Sequence, residues 1–75
     1  MPKLRRVSGL EAIRALKRLG FVQARQRGSH VVLKKQTPEG EIGCVVPLHR
    51  ELAIGTLSSI LKQAKITPEE FMEHL

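Results

Sequence analysis

Aromatic residues are nearly missing from this chain of 75 residues, which has no tryptophan, no tyrosine and two phenylalanines, Phe21 and Phe71. A protein that grips single-stranded nucleic acid by stacking bases needs such rings, so stacking is excluded as its main device. The one cysteine, Cys44, rules out an internal disulfide, and its place in the apolar run from Ile42 to Leu48 reads as a small buried hydrophobe. Three histidines, His30, His49 and His74, show no paired ligand spacing with each other or with that cysteine. Neither a metal nor a cofactor is therefore expected. No apolar run approaches the ~20 residues of a membrane helix, so no membrane partner is expected. The basic start, residues 1–6, leads into no apolar stretch of the secretion-signal kind. A reducing, cytoplasmic setting fits these features.

Positive charge is what the chain has in excess. Thirteen Lys and Arg against seven Asp and Glu give a formal charge of +6. Such a balance points to a polyanionic partner, with nucleic acid first, although by charge alone a membrane surface or an acidic protein also fits. The length suits one small domain, residues 1–75, with a modest core.

Helix signals bracket the chain. Ser8 and Glu11 form a capping box that opens a first helix, with Leu10, Ile13, Leu16, Ala12, Ala15 and Leu19 as its apolar stripe and Gly20 as its stop. Gly55-Thr56 reads as the start of a second helix, with Leu57, Ile60, Leu61 and Ala64 on one face. Thr67, Pro68 and Glu70 supply an N-cap, an N1 proline and an N3 carboxylate for a short last helix, from which Phe71 and Leu75 pack back.

Between the first two helices the period changes to that of strands. Phe21 to Arg27 and His30 to Gln36 read as antiparallel partners, and Thr37-Pro38-Glu39-Gly40 is a turn with proline at its second position. A third strand runs from about Glu41 to Val46 and ends at Pro47. The order α-β-β-β-α, with a short C-terminal helix, predicts an α+β two-layer sandwich.

The first strand connection carries the chemistry. Gly28-Ser29 suits a type II′ hairpin turn, whose first residue takes a positive φ that only glycine adopts without penalty. Counting back from that turn sets Arg27 opposite His30, Arg25 opposite Val32 and Gln23 opposite Lys34, all on one face. Val22, Ala24, Val31 and Leu33 then face the core. Val32 breaks the pattern, and a slip of one residue would turn His30 inward. The chosen register holds an imidazole among two guanidiniums and an ammonium. An imidazole accepts or donates a proton near neutrality, and arginines clamp phosphates in bidentate fashion.

Gly20-Phe21, Arg25-Gln26-Arg27-Gly28-Ser29-His30, Val46-Pro47-x-His49 and Gly55-Thr56-Leu57-x-x-Ile60-Leu61 together resemble the HicA family of toxins, from about Ser8 to Phe71. The resemblance implies a fold like the double-stranded-RNA-binding domain. It also implies a ribonuclease that cleaves messenger RNA, a HicB-type antitoxin as partner, and a catalytic histidine in the Gly-Ser-His motif, here His30. Lys65 stands where that family often has a glycine after the second helix.

His30 is thus the candidate general base, acting without metal. Arg25, Arg27, Ser29 and Lys34 are the candidate RNA contacts, and Gly28 is structural. His49 is a possible auxiliary group, with loop fixing as its other reading. His74 is expected to face solvent. Gly55 and Thr56 either cap their helix or lend amides to a phosphate. Two rival functions remain: an RNA-binding module that does not cut, and a module that binds only an acidic protein.

Overall fold

The computed structural model describes residues 4–75. The elements run α1 (Gly9–Arg18), β1 (Val22–Arg27), β2 (His30–Thr37), β3 (Gly40–Pro47), α2 (Ile54–Ala64) and α3 (Pro68–Glu73). Three antiparallel strands in the order β1-β2-β3 form the sheet, and the helices cover one of its faces. This is the expected α-β-β-β-α layout. Among the described residues no helix is long and apolar enough to cross a membrane.

The helix ends follow the local chemistry. Both capping boxes form, Ser8 with Glu11 and Thr67 with Glu70. Bonds from the Ser8 amide and hydroxyl hold the Glu11 carboxyl below its ordinary range. After α1 the chain leaves through Gly20 at φ 101°, with the Phe21 amide donating to the Leu16 carbonyl at 3.0 Å. After α2 the same exit is made by Lys65 at φ 56°, where the Ile66 amide donates to Leu61 at 3.0 Å. An L-residue in this left-handed conformation pays a steric cost that glycine avoids. Lys65→Gly is therefore expected to stabilise the fold by about 0.5–1 kcal/mol, read as a higher Tm in thermal unfolding. An unchanged or lower Tm would contradict it.

The core gathers Ile13, Leu16 and Val7 from the N-terminal side, Val31, Leu33, Cys44 and Val46 from the sheet, and Leu57, Ile60, Leu61 and Phe71 from the last two helices. Burial pushes the Cys44 thiol up to about 11, which keeps it neutral and inert. The last helix is tied down where Arg18 donates to the His74 carbonyl at 2.7 Å.

Several expectations need correction. Leu10 is not part of the buried stripe; it is 57% exposed. The second helix opens at Ile54, one residue before Gly55-Thr56: Ala53 is its N-cap, and no side chain caps it. Capping therefore does not account for Gly55 and Thr56. The entry is fixed instead by tertiary contact, since Leu52 is fully buried and its amide donates to the Val7 carbonyl at 2.7 Å. His74 is half-buried rather than open to solvent, with Nδ1 2.8 Å from the Glu70 carbonyl oxygen.

The register holds near the turn and shifts beyond it. Arg27 faces His30 and Arg25 faces Val32, as expected, but a bulge between Gln23 and Arg25 puts Val22 opposite Lys34 and Gln23 opposite Leu33. The cause lies in a conflict of parity. Phe21 must be buried, yet in an unbroken strand it would share a face with Arg25 and Arg27. One extra residue resolves this. As a result Val22 does not face the core, and because the helices do not reach over this strand every residue of β1, Ala24 included, is exposed.

Candidate functional site

The Gly28-Ser29 turn builds the site. Gly28 has φ 56°, and among the described residues Ser29 is not in the left-handed region, which is the type II′ pattern. A Cβ at Gly28 would meet no atom within 4 Å, so the backbone angle alone demands glycine there. The Gln26 side chain donates to the Gly28 carbonyl at 2.9 Å and braces the turn.

Strand β3 grips the turn from its other side. The Leu48 amide donates to the Ser29 carbonyl at 2.7 Å, and Pro47 is the strand partner of His30. One residue on, the His49 carbonyl accepts from the Gly9 amide at 2.9 Å, which pins this loop against the start of α1. A Cβ on Gly9 would overlap the Pro47 carbonyl oxygen and lie 3.0 Å from Leu48 Cα. Gly9 is thus required by close approach of two backbones.

His30 consequently stands at the first position of the central strand, exposed, on the face away from the helices, with Arg27 on one side and Pro47 on the other. Arg25 lies one row further along the same face, beside Val32, whose other neighbour is Val45. Among the described residues neither arginine lies within 4.0 Å of a carboxylate; the ion pairs are Arg6–Glu51 and Lys34–Glu41. The His30 ring likewise makes no hydrogen bond among the described residues. Both arginines and the imidazole are therefore available to an anionic ligand.

Lys34 shares this face but is set apart from the group. It lies four residues along β2 from His30, about 13–14 Å away, and its ammonium is held 3.3 Å from Glu41. The structure thus brings Arg25, Arg27, Ser29 and His30 together, with His49 exposed on the loop that β3 feeds into. It does not bring Lys34 or the first turn of α2 into that set by any bond.

Two contributors escaped the sequence reading. Pro47 is the direct neighbour of His30, and counting outward from the Thr37–Gly40 pair would have placed it there. Gly9 holds the His49 loop, and its role leaves no local signal because the contact is made across 38 or more residues of chain. No group of three or more His, Cys, Asp or Glu suited to a metal occurs among the described residues. The site offers a base, two cations and an open surface.

A family model described as the HicA toxin of bacterial toxin-antitoxin matches residues 9–66, from the first residue of α1 to just past the end of α2. No curated protein matches the chain.

Proposed function

The chain belongs to the HicA family of toxins of bacterial toxin–antitoxin systems, and from that membership we propose that it acts as an endoribonuclease on messenger RNA, with His30 as general base. An antitoxin is the partner that membership in such a system implies; we take it to be of the HicB type, in the cytoplasm. The observation that carries the proposal is the exposed imidazole of His30 beside the guanidinium of Arg27, which among the described residues pairs with no carboxylate, on the sheet face the helices leave open.

RNA carries its own nucleophile. The 2′-oxygen attacks the adjacent phosphorus, the P–O5′ bond breaks, and a 2′,3′-cyclic phosphate and a 5′-hydroxyl result. His30 takes the 2′-proton as the new bond forms. Arg25 and Arg27 hold the non-bridging oxygens, where charge builds up in the transition state. The departing 5′-oxygen needs a proton, and His49, on the loop bonded to the turn, is our candidate to supply it. No step in this scheme draws on a metal. Ser29 orients the turn through its carbonyl. Lys34 adds a more distant charge to the same face.

Incubation of the purified protein with labelled RNA in excess chelator tests the reading. Cleavage in chelator, with binding that weakens as salt rises, is the expected result. Binding without cleavage would mark a non-catalytic RNA module. Failure to bind RNA at all would leave only a protein-interaction role.

A further inference from the structure

The strand β1 is unusually bare. All six of its residues are exposed, it forms one edge of the sheet, and among the described residues no backbone hydrogen bond outside the sheet reaches it. The buried sheet positions belong to β2 and β3, so β1 overhangs the helical layer on both faces. An open edge is a template for a further strand, and proteins usually blunt it. Here the bulge at Gln23–Arg25 disrupts the first half. The half next to the turn is regular.

Turn geometry says which groups point outward. In a hairpin closed by a two-residue turn, the flanking pair, Arg27 and His30, exchanges the bonds nearest the loop. Gln26, opposite Val31, is then in the pair without such bonds, so its amide and carbonyl point away from β2. On the open face this outward pair is flanked by Arg25 and Arg27.

We propose that the edge of β1 at Gln26 is a docking site for an extended acidic segment of the toxin's protein partner, which adds a fourth strand and sets carboxylates on Arg25 and Arg27. A second copy of this chain is the poorer occupant. Pairing β1 with itself would put two pairs of arginines on one face, between molecules that each carry +6. A carboxylate at every second position of an incoming strand reverses the sign of that contact. The consequence for regulation rests on the nuclease reading: the added strand takes the phosphate clamps, while its backbone stays two strands from His30, about 9–10 Å away. Inhibition is then by loss of RNA contact and leaves the imidazole unplugged.

The test uses an acetylated, amidated hexapeptide of alternating Glu and Val, with a Lys–Val counterpart, titrated into the 15N-labelled chain. The Glu–Val peptide is expected to slow hydrogen exchange of the Gln26 amide at least tenfold at saturation, and the Lys–Val peptide is not. Gln26→Pro removes the outward donor without touching the ladder to β2, and should weaken binding at least tenfold relative to Gln26→Ala. Methylating the peptide's alternate amides gives the same answer without altering the protein: one of the two methylation registers should lose binding and the other keep it. Absence of peptide binding, an unprotected Gln26 amide in the complex, or equal binding by both registers overturns the proposal. So does protection of Gln26 by RNA alone, or by self-association as concentration rises. RNA cleavage by Gln26→Pro without peptide should match that of Gln26→Ala; a chain that never cuts RNA sinks the nuclease reading and leaves the edge measurement standing.

Discussion

His30→Ala is expected to slow RNA cleavage by about 10²–10⁴-fold, the range that a positioned general acid or base contributes. The effect should fall on the chemical step. His30 is exposed and makes no hydrogen bond among the described residues, so its removal leaves no orphaned partner. Surface changes of that kind alter stability by about 0.5 kcal/mol or less. In the proposed scheme the phosphate contacts come from Arg25 and Arg27, which remain in place on the neighbouring strand. RNA affinity and its salt dependence should therefore match those of the wild type, while single-turnover cleavage collapses. Unchanged cleavage would remove His30 from the mechanism. Parallel loss of binding and cleavage would assign it to RNA contact instead.

The largest effect on stability is expected at Gly9. Its amide donates to the His49 carbonyl, and the added methyl of Gly9→Ala would strike the Pro47 carbonyl oxygen. The obstacle is backbone on both sides, which cannot swing away as a side-chain tip can. Overpacking at such a point costs about 1–3 kcal/mol. In a domain of this size each kcal/mol moves Tm by about 4–8 °C, so a fall of roughly 10 °C is expected in thermal unfolding. Activity at a permissive temperature should also fall, because the displaced loop is the one that grips Ser29. An unaltered Tm would show that α1 and the loop separate easily, contrary to the contacts seen.

Much of this fold can be read from residues whose effects are local. Ser8 with Glu11, and Thr67 with Glu70, start helices where their side chains reach their own backbone amides. Gly28 forces the turn, and the turn fixes which residues oppose His30 and Val32. What the sequence hides is set by contacts between distant segments. The α2 entry depends on Leu52 docking against Val7, and nothing at Gly55-Thr56 announces that. The exposure of β1 depends on where the helices lie over the sheet, and an apolar residue such as Val22 gives no sign that nothing will cover it. The bulge is an intermediate case. Phe21 and the two arginines contradict each other within one strand, and that contradiction is visible before any coordinates are known.

The candidate site divides in the same way. The imidazole and its nearest guanidinium follow from the turn and its register. Lys34 stands apart from them by its four-residue distance along β2, and its ammonium lies 3.3 Å from the Glu41 carboxylate at the far end of the face. Strand alternation assigns both residues to one side, but it says nothing about which partner a long side chain takes.

Proton removal from the ribose is the step on which the mechanism stands, and a single chemical change in the substrate reports on it. The most direct measurement is cleavage of an RNA that carries one 2′-deoxy nucleotide at the cut position, beside the all-ribo strand, with wild-type protein. Cutting at that position is expected to stop while binding is unchanged. Normal cutting there would mean that water is the nucleophile and that His30 does not act on the 2′-hydroxyl.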